Sequence, residues 1–223
     1  MFLLSGDFPE LAIEEVSSLL EIDNCELIKN FLLVNPENLK KAKVESSSGK
    51  LIRRLALTKK IYKVLFESAI ENLDEKIISF GWNTVYRKNY CVRATNIESS
   101  VYFTEQELAG KIWRQLKNPK VNLNNPVTQL EFFFIGEKIY SCLLIHKNIE
   151  DFRSRKPQYR LFRHPTSLDP KLARALVNLT GIQEGSVLCD PFCGTGGFLI
   201  EAGLMGMKTL GYDISKSMEK GCV

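Results

Sequence analysis

Apolar residues recur along the chain at two periods, and the switches between them mark its elements. Phe2, Leu3 and Leu4 read as a short strand. Pro9 then opens a helix whose Ala12, Val16, Leu19 and Leu20 keep helical spacing. Two short apolar runs at 25–29 and 31–34 are separated by a turn and predict a hairpin. After the polar 46–49 stretch, 50–57 reads as a short helix and 60–68 as a strand with imperfect alternation. The order is β-α-β-β-α-β, a ferredoxin-like unit, and polar residues 72–75 lead out of it.

The next stretch repeats the mixture of periods. A strand is expected at 90–95. Thr104-Glu105-Gln106-Glu107 then forms a capping box that starts a helix with Leu108, Ile112 and Leu116 on one face, and Trp113 is expected to join that face. A turn at 121–126 precedes a hairpin of 127–135 and 138–145, closed by Gly136-Glu137, in which Phe132, Phe134 and Leu143 should be buried. Further on, Asp169 can cap a helix with Pro170 at its first position, Leu172, Leu176 and Leu179 on one face, and Gly181 at its end.

The last pattern carries chemistry. An apolar strand at 187–190 runs into Asp190-Pro191-Phe192-Cys193-Gly194-Thr195-Gly196-Gly197, a helix follows at 198–205, and a second strand at 209–214 carries Asp213 near its end. Strand, acid, glycine loop and helix together form a nucleotide-type cofactor site. A carboxylate at Asp190 would repel a diphosphate, which argues against a dinucleotide oxidoreductase. It suits S-adenosylmethionine, whose ammonium and sulfonium are cationic. Gly194 and Gly196 let the backbone approach a ligand closely. Asp213 lies about 20 residues beyond the glycines, the offset at which an acid meets ribose hydroxyls.

These residues closely resemble motif I of the class I methyltransferases, in the form found in enzymes that methylate exocyclic nitrogens of nucleic-acid bases. The stretch from His164-Pro165-Thr166 through Asp169-Pro170 to Leu179 is similar to the preceding helix motif of the archaeal tRNA guanine N2-methyltransferases that act on position ten. The resemblance implies a cofactor, S-adenosyl-L-methionine, held by His164, Pro165, Thr166, Asp190, Pro191, Phe192, Cys193, Gly194, Thr195, Gly196, Asp213 and Ile214. Val92-Arg93-Ala94, Gly110-Lys111-Ile112 and 121–127 are similar to the THUMP domain, an RNA-binding module, which implies tRNA as partner. The implied fold is an α+β N-terminal part, ferredoxin-like over 1–72 and THUMP over 73–148, then a basic linker at 149–163. Residues 164–223 would begin an α/β Rossmann-like class I methyltransferase domain, incomplete here.

In that family an Asp/Asn-Pro-Pro-aromatic motif holds the reacting amine, and none occurs in these 223 residues. No catalytic residue is therefore assigned. The expectation is a chain carrying the RNA-binding part and the cofactor motif, truncated within the methyltransferase domain, with an incomplete cofactor site and inactive unaided. A separate chain could supply the rest. The alternative is an RNA-binding remnant without activity of its own.

Charge sharpens the RNA reading. The net charge of +4 is uneven. Between Lys147 and Arg174 eight basic residues meet three acidic ones, which leaves the rest of the chain about neutral. Arg153, Arg155, Lys156, Arg160 and Arg163, interleaved with Phe152, Tyr159 and Phe162, are candidates to neutralise phosphates and stack on bases. A solvated linker is the plain alternative. Arg93, Lys111 and Arg114 are further RNA candidates, for which exposed solubilising charge is the alternative. Six scattered cysteines without a Cys-x-x-Cys pair indicate neither a disulfide framework nor a zinc site, and Cys189 and Cys193, which flank the loop, have the two histidines far away and so no matching metal cluster. With no signal-like or membrane-length apolar run, a cytoplasmic location is expected.

Overall fold

The computed structural model describes residues 1–22, 24–35, 37, 49–162 and 164–221. Most of the 46–49 loop, Arg163 and Cys222 lie outside the described residues. The protein is a mixed α/β chain with two compact units. One is built on Ile61–Lys147 together with Met1, the other on Phe2–Lys60 and Asn148–Val223. The strands are β1 (Phe2–Leu4), β2 (Cys25–Ile28), β3 (Phe31–Val34), β4 (Thr58–Ala69), β5 (Tyr90–Ile97), β6 (Thr128–Ile135), β7 (Lys138–Lys147), β8 (Val187–Asp190) and β9 (Lys208–Gly211).

In the Ile61–Lys147 unit, β5 and β6 run parallel, with Val92 opposite Leu130, and β6 turns back antiparallel into β7 with Ile135 opposite Lys138. The left-handed Gly136 (φ 59°) makes that two-residue turn possible. The helix Glu105–Trp113 carries the expected capping box: Glu107 N–H donates to Thr104 Oγ1 at 3.2 Å and Thr104 N–H to Glu107 Oε2 at 2.8 Å. Its Leu108 and Ile112 enter a core with Trp82, Tyr90, Phe132 and Phe134. Trp113, expected in the core, is 45% exposed, because it follows Ile112 and so lies about 100° round the helix. Leu143 only borders the core.

The composite unit joins sequence ends that lie far apart. β2 and β3 form the expected hairpin, Cys25 opposite Val34, and β3 pairs antiparallel with β1. The helix Pro9–Leu20 buries Ala12, Val16, Leu19 and Leu20, and also Glu15. That carboxylate accepts the backbone N–H groups of Ala56 and Leu57, both at 2.8 Å, and Asn178 Nδ2–H at 2.7 Å. This is why the expected 50–57 helix stops early, at Gly49–Arg54: after Leu55 N–H, which donates to the Ile52 carbonyl at 3.3 Å, the N–H groups of Ala56 and Leu57 are taken by Glu15.

Asn178 also accepts from Arg54 Nε at 3.2 Å and donates to the Arg54 carbonyl at 3.0 Å. It sits on the helix Pro170–Leu179, which begins as expected with Asp169 Oδ1 accepting Lys171 N–H at 2.9 Å. The face of this helix differs from the expected one. Ala173, Arg174, Val177 and Asn178 are buried, while Leu172, Leu176 and Leu179 are only partly so. The polar residues go inside because their partners wait there.

Candidate functional site

The strand-loop-helix motif forms at the expected place. β8 carries Asp190 at its end and pairs in parallel with β9, Asp190 opposite Gly211. Asp190 Oδ1 accepts Phe192 N–H at 3.0 Å, an Asx turn that starts the loop. Gly194 (φ 52°) and Gly196 (φ 72°) then take left-handed conformations that strain any other residue, and Gly196 delivers the chain into the helix Gly197–Leu204.

The loop is braced by the second strand. Cys193 N–H donates to the Tyr212 carbonyl at 2.9 Å, and Gly194 N–H donates to Asp213 Oδ2 at 2.9 Å, while Asp213 Oδ1 accepts Ser215 N–H at 2.8 Å. The expected 209–214 strand ends at Gly211, so Asp213 lies two residues beyond β9, in the same hydrogen-bonded loop as Asp190 at the end of β8. On its other side Thr195 Oγ1 donates to Ser167 Oγ at 2.9 Å. Ser167 closes a turn in which its N–H donates to the His164 carbonyl at 3.0 Å and Thr166 Oγ1 lies 2.8 Å from His164 Nδ1. His164, Pro165 and Ser167 line a cleft of about 500 Å³ with Pro157 and Gln158. The Thr195–Ser167 bond thus ties the turn that begins at His164 to the glycine loop. Phe192 and Ile214, the latter 99% exposed, stand outward from it.

A family profile for an RMKL-like methyltransferase domain matches residues 157–219. Over 99% of the chain, the tRNA (guanine(10)-N2)-dimethyltransferase of Methanothermobacter thermautotrophicus is 33% identical and that of Methanocaldococcus jannaschii 31%, with 66% and 68% of those proteins covered. The chain belongs to this family. It spans about two thirds of the length of these curated relatives. For the tRNA (guanine(10)-N2)-dimethyltransferase family the fold is echoed in TrmN from Thermus thermophilus, with a TM-score of 0.59 at 18% identity over 99% of this chain and 67% of that one. SMU.472, assigned as a methyltransferase and solved with bound SAH, gives 0.53 at 15% identity over 99% and 69%.

Two residues of this family member escape a motif reading. Ser167 was visible only as part of a helix approach, yet it ties that approach to the loop. Gly211 has no turn to make, but a Cβ there would lie 2.4 Å from Leu199 Cδ1 and 3.1 Å from Cys193 Cβ and Sγ. Gly211→Ala is expected to lose about 1–3 kcal/mol by overpacking. Gly203→Ala, where a Cβ meets nothing within 4 Å, should be neutral or slightly stabilising. Thermal denaturation of both variants checks this.

The basic candidates divide by what holds them. Arg155 Nε donates to Glu201 Oε1 at 2.8 Å and its Nη2 to Glu150 at 3.1 Å. Arg174, nearly buried, reaches Glu201 at 2.8 Å and Glu150 at 3.3 Å, and both guanidinium carbons lie 5.0 Å from the Phe152 ring. Arg155, a candidate for RNA, is thus committed inside the protein by nearby Glu150 and by Glu201, 46 residues on. Arg160 Nε donates to the Arg155 carbonyl at 2.8 Å. Lys156 lies 3.9 Å from Asp169, whereas Arg153 is exposed and lines a cleft. In the Ile61–Lys147 unit Arg93 pairs with Glu105 at 2.9 Å, Lys111 pairs with Asp74, and Arg114 is exposed at a helix end.

Among the described residues no group of three or more His, Cys, Asp or Glu is placed to hold a metal, and no helix is long and apolar enough to cross a membrane.

Proposed function

We propose that the chain serves N2-methylation of a guanine in tRNA, with S-adenosyl-L-methionine as methyl donor. Residues 164–223 would hold the donor. The ferredoxin-like elements of 1–72, the THUMP-like elements of 73–148 and the basic 149–163 segment would hold the tRNA. The observation that carries the cofactor reading is the brace from Gly194 N–H to Asp213, which makes glycine loop and second acid a single preformed unit. A Cβ on Gly194 would meet nothing within 4 Å, so the protein leaves that side of the loop open.

The residues present suit the donor. Each Asp213 oxygen accepts one backbone N–H and keeps a lone pair, enough to take ribose hydroxyls. Asp190 commits one oxygen to Phe192 N–H, and its charge would face the methionine ammonium. When bound, the cofactor supplies a sulfonium-borne methyl group. The chain's own part is to orient it. His164, Pro165 and Thr166 would close the methionine end, and Pro191, Cys193, Thr195 and Gly196 would complete the surround, while Phe192 and Ile214 stand outward from it.

Isothermal titration with S-adenosylmethionine tests the reading. Asp213→Ala is expected to weaken binding about 10- to 100-fold, the worth of a charge-assisted hydrogen-bond set. Equal affinity in wild type and variant would remove Asp213 from the site. The guanine-holding motif is not among these 223 residues. The chain unaided should therefore leave tRNA unlabelled by radioactive cofactor, and label at a guanine amine would contradict this.

A further inference from the structure

The segment between the two halves of the composite unit carries a second cleft. Phe152, Arg153, Ser154 and Arg155 form a turn capped by Asp151, which accepts Ser154 N–H at 3.2 Å through Oδ1. A 3-10 turn, Pro157–Tyr159, follows at once. Asp151, Arg153, Ser154 and Tyr159 line an open cleft of about 430 Å³, within the range of small-ligand sites. Tyr159 is 59% exposed. On the neighbouring stretch of the same turn, Pro157 and Gln158 belong to the cleft whose wall, Ser167, is hydrogen-bonded to the glycine loop.

The lining names a ligand chemistry. One exposed cation suits a phosphate, and one exposed aromatic face suits a nucleobase. A duplex keeps its bases stacked on each other and offers no free face to a side chain. An unpaired strand does. The neighbouring basic residues are otherwise engaged: Arg155 by Glu201 and Glu150, and Arg160 by the Arg155 carbonyl.

We propose that the Pro157–Tyr159 turn is a platform for single-stranded RNA. One nucleotide stacks its base on Tyr159 and sets its phosphate on Arg153, while the next is turned into the His164–Ser167 cleft beside the glycine loop. This rests on the reading of RNA as partner and names which form of RNA the segment grips. It makes 149–163 a strand guide toward the cofactor loop.

Fluorescence anisotropy separates the claims, using a labelled single-stranded RNA oligonucleotide, the same sequence as a duplex, and intact tRNA. The chain should prefer the single strand to the duplex. Tyr159→Ala should weaken single-strand binding about ten-fold, the worth of one aromatic stack, and Tyr159→Phe should stay within about two-fold of wild type. Arg153→Ala should weaken it as well, and all three variants should keep the wild-type circular dichroism spectrum, since both side chains are exposed. If the wild-type chain binds none of the RNAs, the RNA reading and the platform fall together. If it binds tRNA while Tyr159→Ala binds the single strand as wild type does, the platform alone is overturned. A loss in Tyr159→Phe equal to that in Tyr159→Ala would also overturn it, because the hydroxyl and not the ring would then be responsible.

Discussion

Glu15→Ala should remove a large share of the chain's stability. The substitution strips the acceptor from three buried donors at once, the N–H groups of Ala56 and Leu57 and Nδ2–H of Asn178. An orphaned buried donor costs about 1–3 kcal/mol, so three cost about 3–9 kcal/mol against a domain stability of about 5–15 kcal/mol. Glu15→Gln keeps one acceptor and turns the other oxygen into a donor facing N–H groups, and should lose roughly half as much. Urea unfolding followed by circular dichroism measures both, and a loss below about 1 kcal/mol in the Ala variant would show that water replaces the carboxylate.

The same residue sets a pH dependence. Burial pushes the Glu15 carboxyl above its ordinary value of 4.5, against the pull of the Ala56, Leu57 and Asn178 donors. A raised folded-state pKa means the folded chain keeps its proton longer than the unfolded one. The associated stability is complete below the ordinary value and is lost as pH rises through the folded one. Asp7, Glu107 and Asp151 shift down instead, through hydrogen bonds with Ser5, Thr104 and Ser154, and act at lower pH. The urea midpoint of wild type should therefore fall with rising pH above about 4.5 relative to Glu15→Gln. Parallel curves would contradict this.

The second large effect belongs to Glu201, which is fully buried between two guanidiniums. Glu201→Ala should destabilise by about 3–5 kcal/mol, the usual result of breaking a buried ion pair from one side. Arg155 keeps a partly exposed side chain and can turn outward, but Arg174 is only 3% exposed and cannot. Adding Arg174→Met to Glu201→Ala should thus recover a good part of the loss, whereas Arg155→Met should recover less. A double-mutant cycle in urea decides the order. Equal recovery by the two would mean that the arginines share the burial penalty evenly.

What the sequence disclosed was local. The capping box at Thr104, the Asp169-Pro170 helix start and the loop from Asp190 to Gly197 could be read because each depends on residues within about one turn of one another. Asp213 was legible through its offset of about 20 residues from the glycine loop. Glu15, Arg174, Asn178 and Glu201 were not. Their hydrogen bonds span 163 residues from Asn178 to Glu15 and 27 from Arg174 to Glu201, and no periodicity marks a charged residue for burial when its partner is that remote. The face of the Pro170–Leu179 helix was misread for this reason: leucines at helical spacing outweighed polar side chains whose destination is invisible in one dimension.

The clasp around Phe152 also bears on how the basic segment would count its charges. Binding of RNA releases ions condensed on the phosphates, one for nearly every protein cation that replaces them, and the salt dependence of affinity reports that number. Arg155 and Arg174 already have resident counterions in Glu150 and Glu201. The eight basic residues between Lys147 and Arg174 are thus an upper bound on the segment's reach for phosphate, and a salt titration should return a footprint smaller by at least these two.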